Sequence, residues 1–182
     1  MSEDIKGKLL PFSLTALIIL LDQGVKSFIV GRWPREGSLI KDVFDNGLVY
    51  IVHVRNKAIA FSLGHNLPEN LRPFLFILVP ILVLAFLLWY YMRSQEFSTP
   101  QRWALAGIVG GGLGNIIDRI FRPDGVVDFI SVKFFGLFWM ERFPTFNIAD
   151  SSVVVCCALF LITIITGSKK SPGEGTINEQ TD

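Results

Sequence analysis

Four long apolar stretches constrain the fold of this chain more than any other feature. They cover residues about 9–30, 72–92, 102–120 and 147–167, and each approaches the roughly 20 residues that a helix needs to cross a bilayer. Hydrophobic residues make up 51% of the sequence, and the mean hydropathy is +0.48, which is too apolar for an ordinary soluble domain of this size. The sequence therefore predicts an all-α membrane protein with four transmembrane helices.

Two longer connections separate these helices, at residues about 31–71 and 121–146. In the first, Asn46-Gly47 is typical of a tight two-residue hairpin turn, and residues 48–54 have a β-rich composition. We therefore expect a small β-hairpin or sheet region between helices 1 and 2. We expect the second connection to rest on the lipid interface through its aromatic residues Phe134, Phe135, Phe138, Trp139 and Phe143.

The remaining bulk properties narrow the class of protein. The net charge of +1 gives no footprint for nucleic acid. Cys156 and Cys157 are neighbours in a helix and point about 100° apart, so we interpret them as packing thiols. We expect one membrane domain over residues 1–167 and a disordered tail at 168–182, because the tail is polar and contains Pro and Gly. Lys and Arg are similarly dense on both sides of the helices, so the charge rule does not orient the chain.

Three aspartates lie where a membrane protein tolerates them poorly. Asp118 and Asp150 stand at the ends of two apolar stretches, and Asp128 lies in the connection between them. Asn115 and Asn147 each precede an aspartate by three residues, so each pair shares a helix face. Ionisable groups at membrane depth are expensive and mark a functional site by default.

The residue types at this boundary favour hydrolysis by carboxylates. The sequence shows no serine–histidine pair and no cysteine with a base. His53 and His65 lack partners at metal-ligand spacing, so we predict no metal and no cofactor. Of two neighbouring carboxylates, one can deprotonate a water while the other, protonated, donates to the scissile carbonyl, because like charges close together share one proton.

Each of these residues also has a structural interpretation. Asp150 suits a helix N-terminus, and Asp118-Arg119 could be ordinary helix-end polar residues. Asp22 and Lys26 have the i,i+4 spacing of an ion pair, which we interpret as structural.

Two other classes of membrane protein remain open at this point. A small proton- or ion-coupled transport subunit also uses carboxylates and amides, although these acids cluster at one boundary instead of spanning the bilayer. A presenilin-type protease would need Gly-x-Gly-Asp, and this chain has Gly112-Leu113-Gly114-Asn115.

The third apolar stretch is rich in glycine. Gly107 and Gly111, and likewise Gly110 and Gly114, have the GxxxG spacing that lets helix backbones approach closely. A phosphate-binding loop is excluded because no Lys-Ser/Thr follows.

Taken in order, five motifs resemble those of bacterial lipoprotein signal peptidase, or signal peptidase II. Together they extend over essentially residues 9–167, and their register with four helices makes the resemblance specific. The motifs are Asp22-Gln23-x-x-Lys26, Asn56-x-x-x-Ala60-Phe61-Ser62, Gly114-Asn115-x-x-Asp118-Arg119, Val126-Val127-Asp128-Phe129 and Phe146-Asn147-x-Ala149-Asp150-Ser151.

This resemblance implies residue roles. The catalytic pair would be Asp128 and Asp150. Residues matching positions that bind substrate or support the dyad are Asn56, Asn115, Arg119 and Asn147, and those matching bracing positions are Asp22, Lys26 and Asp118, with Asp118 supporting Arg119. One departure is Ala58, where the family motif has glycine.

The resemblance also implies a substrate and a location. The substrate would be a prolipoprotein carrying a diacylglyceryl-cysteine, cut on the N-terminal side of that cysteine. The signal-peptide helix would enter beside the glycine-rich third helix, in contact with membrane lipid. The enzyme would lie in the bacterial inner membrane, with cytoplasmic termini and with the site and β region on the periplasmic face. We expect a monomer.

Overall fold

A computed structural model describes residues 3–57, 68, 71 and 74–167. Five α-helices and three strands follow one another in these residues. They are α1 (Glu3–Leu9), α2 (Phe12–Arg32), β1 (Leu39–Asp42), β2 (Val49–Asn56), α3 (Val79–Arg93), α4 (Thr99–Phe121), β3 (Val126–Val132) and α5 (Ile148–Gly167). The expected tail at 168–182, His65 and the motif residues Ala58, Ala60, Phe61 and Ser62 lie outside the described residues.

Four helical segments of the described chain are long and apolar enough to cross a membrane. The first runs from Lys6 to Arg32 and contains α1 and α2, which separate at Pro11 because proline interrupts the helical hydrogen-bond ladder. The second joins a π-helical segment, Phe74–Leu78, to α3. The prediction of a membrane protein with four transmembrane helices is confirmed.

Helix α4 is the centre of the bundle. Of its most apolar window, 56% is buried, against 28%, 17% and 11% in the other three spans, so α4 packs on its neighbours while they face lipid. The glycines of α4 allow the backbones of α2 and α5 to approach it closely. A Cβ at Gly110 would lie 3.1 Å from the Cα of Thr15 on α2, and a Cβ at Gly111 would overlap the carbonyl oxygen of Ala149 on α5.

The glycines of α4 are therefore covered by this chain's own helices. A Cβ at Gly107 would overlap Cys156 Sγ, and one at Gly112 would lie 3.0 Å from Leu84 on α3. These glycines therefore serve the packing of α4 against α2, α3 and α5, and the entry of a substrate helix beside α4 stays a prediction.

An antiparallel sheet in the order β1-β2-β3 lies at one end of the bundle. The expected β1–β2 hairpin is confirmed, but the prediction of a tight two-residue turn at Asn46-Gly47 is wrong. The connection is wider, with positive φ at Asp45 and Gly47, because the Asp42 carboxylate accepts the Gly47 N–H at 2.7 Å.

The third strand comes from the connection between α4 and α5, for which the sequence predicted no strand. In its register with β2, Val126 pairs with Asn56, and Asp128 pairs with Val54. Its underside packs Val127 and Phe129 against Ile29 of α2. The strand therefore places Asp128 where the sheet meets the helices.

Candidate active site

Asn147 and Asp150 form a reciprocal cap at the start of α5. The Asn147 side-chain oxygen accepts the Asp150 N–H at 2.9 Å, and the Asp150 carboxylate accepts the Asn147 N–H at 3.1 Å. This is the geometry of a capping box, in which residues three apart satisfy each other's backbone donors. The spacing that suggested a shared helix face therefore acts here at a helix end, and it sets the position of the Asp150 carboxylate.

Asp128 reaches the same place from the sheet. Only 1% of it is exposed. One carboxylate oxygen accepts Asn147 Nδ2 at 2.7 Å and the other accepts Asn56 Nδ2 at 3.0 Å. Burial, together with the neighbouring charge of Asp150, raises the pKa of Asp128 to about 7 against the opposing effect of the Asn56 and Asn147 hydrogen bonds.

Asn115, on α4, connects this pair to the bundle. Its Nδ2 donates to Asp150 at 2.7 Å, and its Oδ1 accepts Asn147 Nδ2 at 3.1 Å and Lys26 Nζ at 3.0 Å. Each of the four carboxylate oxygens of Asp128 and Asp150 thus accepts a hydrogen bond. The donors come from α4, from β2 and from Asn147, the residue just before α5. The positions of the two carboxylates therefore depend on all three elements.

A fully buried ion-pair layer lies beside these carboxylates. Lys26 Nζ is 2.7 Å from Asp22 and 3.0 Å from Asp118, and all three side chains are 0% exposed. The two carboxylates also accept backbone N–H groups. The other oxygen of Asp22 accepts the Ala149 N–H at 3.0 Å, and the Asp118 oxygen that faces Lys26 also accepts the Val127 N–H at 3.0 Å. These two residues immediately precede Asp150 and Asp128, so the layer positions the backbone of both.

Two residues of this layer were missed by the sequence analysis. Arg122 pairs with Asp118 and donates to Gln23 Oε1 at 2.7 Å and Ser27 Oγ at 3.0 Å. Gln23 Nε2 donates to Asp118 at 2.9 Å. The i,i+4 spacing from Asp118 to Arg122 was the available signal.

Asp118 was expected to support Arg119. In the structure Asp118 instead forms ion pairs with Lys26 and Arg122. Within the described residues, the Arg119 guanidinium makes one hydrogen bond, to the Asn115 carbonyl oxygen at 3.4 Å. Its other N–H groups can therefore meet a substrate.

The histidine of the described sheet lies away from the carboxylates. His53 is buried, and its Nδ1 lies 2.8 Å from the Trp33 carbonyl oxygen. Among the described residues, no three His, Cys, Asp or Glu side chains are grouped to hold a metal ion.

Two amide-bound carboxylates at the end of a four-helix membrane bundle define the arrangement of a membrane-embedded aspartic peptidase. Comparison with known proteins specifies the kind. The family model described as "Signal peptidase (SPase) II" matches residues 14–166. The chain belongs to this signal peptidase II family, and it is therefore a peptidase.

Similar proteins agree with this assignment. The lipoprotein signal peptidase of Treponema pallidum (strain Nichols) is 41% identical over 174 residues, which cover 96% of this chain and 92% of that protein. The lipoprotein signal peptidase of Treponema denticola is 47% identical over 156 residues, or 86% of this chain and 88% of that protein. The family resemblance drawn from the five motifs is confirmed, and the transport alternative has no support.

Solved structures share the fold. A bacterial membrane enzyme solved by the in meso method at 2.3 Å resolution superposes with a TM-score of 0.74 and 23% identity, covering 91% of this chain and 93% of that one. A second, at 1.9 Å resolution, gives a TM-score of 0.69 with 25% identity, covering 86% and 92%.

Proposed function

We propose that this protein removes signal peptides from diacylglyceryl-modified prolipoproteins, cutting on the N-terminal side of the lipidated cysteine. Asp128 and Asp150 form the catalytic pair in this proposal. The observation that carries it is the convergence of these two carboxylates at the start of a membrane-crossing helix, with every carboxylate oxygen bound to a donor. The names of the similar proteins supply the substrate class.

Asp128 is the proton-bearing member of the pair. It is almost fully buried, and its pKa of about 7 keeps much of it protonated near neutral pH. Asp150 is only partly buried and accepts two N–H donors at a helix N-terminus, where a carboxylate is favoured. Asp150 therefore serves as the base.

The reaction then proceeds in two stages, addition of water and collapse of the diol, and each stage transfers two protons. Asp150 takes a proton from a water molecule, whose oxygen attacks the scissile carbonyl carbon while Asp128 donates its proton to the carbonyl oxygen. The resulting diol collapses as Asp150 returns its proton to the leaving amine of the cysteine residue. Asp128 recovers a proton from the diol, so the pair ends as it began.

Arg119 and the asparagines assist this chemistry. The planar fork of Arg119 suits a substrate backbone carbonyl, and Asn115 and Asn147 hold the carboxylates in register. Asn56 keeps Asp128 in place from the sheet. Asp22, Lys26 and Asp118 brace the backbone before each aspartate.

We further propose a location and an assembly. An even number of crossings in the described residues supports chain ends on the same side of the membrane. We take that side as cytoplasmic, with the site and sheet on the periplasmic face of a bacterial inner membrane, as the family resemblance implies. The protein would act as a monomer, as one domain over residues 1–167, with the acyl chains of its substrate in the surrounding lipid.

A cleavage assay on purified protein in detergent tests the proposal. A prolipoprotein with and without its diacylglyceryl group is offered to wild type and to Asp128→Asn, Asp150→Asn and Asp124→Asn. Asp124 is an exposed carboxylate in the turn before β3, so its variant controls for loss of charge alone.

We expect cleavage of the lipidated substrate only, lost in the first two variants and retained in Asp124→Asn. Asp118→Asn should act more mildly, through stability. If wild type cleaves neither substrate while remaining folded, the function is wrong. If Asp118→Asn loses activity as completely as both dyad variants, the assignment of the pair is wrong.

A further inference from the structure

The connection between β3 and α5 forms a second hairpin that projects from the sheet. Lys133 and Arg142 face each other in a bridge, and the Phe134 N–H donates to the Glu141 carbonyl at 2.8 Å. The chain reverses through a 3₁₀ turn at Leu137–Trp139. We call the side chains of Phe135, Leu137, Phe138 and Trp139 the aromatic tip.

The structure divides the aromatic residues of this connection into two groups. Phe134, Phe143 and Phe146 pack on one another, with ring centroids 5.4 and 6.0 Å apart. The aromatic tip is instead exposed, by 72% at Phe135, 54% at Leu137, 67% at Phe138 and 97% at Trp139, although one face of Phe138 stacks on Phe134, with ring centroids 6.4 Å apart. Such a concentration of large apolar side chains marks an interaction surface.

The backbone that presents the aromatic tip is unusual. Phe135, Phe138 and Trp139 have φ of 55°, 50° and 61°, and Gly136 between them has φ of 77°. Bulky residues rarely adopt this left-handed conformation, which is costly and concentrates at functional sites. The residues in this conformation are the exposed ones, Phe135, Phe138 and Trp139.

Arg142 fixes the base of the hairpin. Its guanidinium donates to Ser131 Oγ at 2.8 Å, to the Ser131 carbonyl at 2.7 Å and to the Gly47 carbonyl at 2.9 Å. It also lies 3.8 Å from the centroid of the Tyr50 ring. The aromatic tip is thus rigidly attached to the sheet that carries Asp128.

A bilayer is the apolar phase that this surface fits. Residues 144–147 alone separate the hairpin from α5, which begins a membrane crossing at Ile148, so the hairpin starts at the membrane boundary. Lys133 follows Asp128 by five residues, about 16 Å along a strand, so the aromatic tip lies well to one side of the carboxylates. Trp is enriched at such interfaces.

The charged side chains beside the aromatic tip suit a phospholipid surface. Lys133 Nζ lies 5.5 Å from the Phe135 ring centroid and is only loosely paired with the exposed Glu141, at 3.7 Å. A cation beside apolar rings suits the phosphate groups above an acyl layer.

We propose that the aromatic tip inserts into the phospholipid interface on the side of the membrane that bears the carboxylates. The sheet is then held at two points, by the bundle at Val127 and by lipid at the aromatic tip, which keeps Asp128 at the depth of the membrane boundary. This proposal rests on membrane embedding and not on the proposed cleavage.

Fluorescence in vesicles tests it. Wild type and Trp139→Phe are reconstituted in phosphatidylcholine–phosphatidylglycerol vesicles, with and without bromine on the acyl chains near the glycerol. The difference between the two proteins isolates Trp139, and because this side chain is almost fully exposed its replacement leaves the fold intact. Trp89→Phe, at a lipid-facing residue of α3 (56% exposed), gives a reference for bromine quenching.

We expect the Trp139 emission to be blue-shifted and quenched by brominated lipid, whatever its residual access to aqueous iodide. Iodide quenching equal to that of N-acetyltryptophanamide, without bromine quenching, would place the aromatic tip in water and overturn the proposal. Protection from both quenchers would overturn it as well, because a protein surface would then cover the aromatic tip.

Discussion

Asn147 is the residue at which the two carboxylates meet. Its side-chain nitrogen holds Asp128, while its side-chain oxygen and backbone N–H hold Asp150. An amide can serve both because it carries a donor and an acceptor. The N–H groups that bind these carboxylates replace the water molecules that would solvate them, and burial leaves Asp128 with a pKa of about 7.

Asp128→Asn should stabilise the protein at alkaline pH. The pKa of Asp128 in the folded protein lies above its usual value of 3.8. The free energy of unfolding that this group contributes is therefore fully present below about pH 4 and is lost as the pH rises to 7. The variant lacks this loss, so at pH 8 it should gain at most about 4 kcal/mol over wild type. Thermal unfolding from pH 5 to pH 8 measures the effect, and an equal Tm difference at both pH values would contradict it.

Asn56→Ala should shift the alkaline limb of the cleavage rate to higher pH. The Asn56 hydrogen bond lowers the pKa of Asp128, so its removal raises that pKa and keeps the acid protonated at higher pH. The rate at the optimum should fall, because Asp128 loses one of its two side-chain donors. Asn46→Ala, in the exposed β1–β2 connection, is the control, and a shift of the limb to lower pH would show the assignment of the proton to be wrong.

At the scale of elements, α4 organises the molecule because glycines remove side chains from the faces that touch α2 and α5. Gly114 shows the connection to the site. A Cβ there would lie 2.9 Å from the Asp22 carboxylate and 3.1 Å from Ala149 Cβ. Packing of the helices and positioning of Asp150 therefore depend on the same close approach.

Gly111→Ala should destabilise the protein by about 1–3 kcal/mol, the usual cost of overpacking. The added carbon would overlap the Ala149 carbonyl oxygen and approach Val153 Cγ2 to 2.7 Å, and the backbone of α5 cannot move without moving Asp150. Thermal unfolding in detergent measures the loss.

Gly24→Ala is the matched control, since a Cβ at this helical position meets nothing within 4 Å. Its replacement should be neutral or stabilise by about 0.5–1 kcal/mol, because alanine favours helix. Equal effects of both variants would argue against the packing explanation.

At the scale of the whole molecule, the buried layer of Asp22, Lys26 and Asp118 joins elements that are distant in sequence. Through it α2 and α4 hold the backbone N–H groups of Ala149 in α5 and Val127 in β3. A charged pair at this depth is stable only when each partner is fully compensated. The catalytic geometry is therefore coupled to the assembly of the bundle.

Lys26→Met should destabilise the fold by about 3–5 kcal/mol, because it leaves two carboxylates buried without a cation between them. Adding Asp22→Asn should recover part of the loss. Lys6→Met, at an exposed residue, controls for loss of one positive charge, and Tm in detergent is the readout. A Lys26→Met protein as stable as wild type would show that the layer contributes little.

The transmembrane helices and the family could be predicted from local information. A run such as residues 74–92 is apolar enough to cross a bilayer wherever it lies, and motifs such as Asn147-x-Ala149-Asp150 carry their chemistry in their residue types. Strand β3 could not be predicted in this way. Residues 126–132 become a strand because β2 supplies their backbone partners, and that pairing depends on the ends of α2 and α4 lying together.

Residue identity and apolar patterning thus specify what crosses the membrane and which polar groups are present at its boundary. Only the tertiary structure decides which groups meet: Asp118 with Lys26 and Arg122 in place of Arg119, Asn56 with Asp128, and the glycines of α4 with α2 and α5. The physical reason is that a buried carboxylate takes the donors nearest in space, and packing brings those donors from residues far apart in the chain.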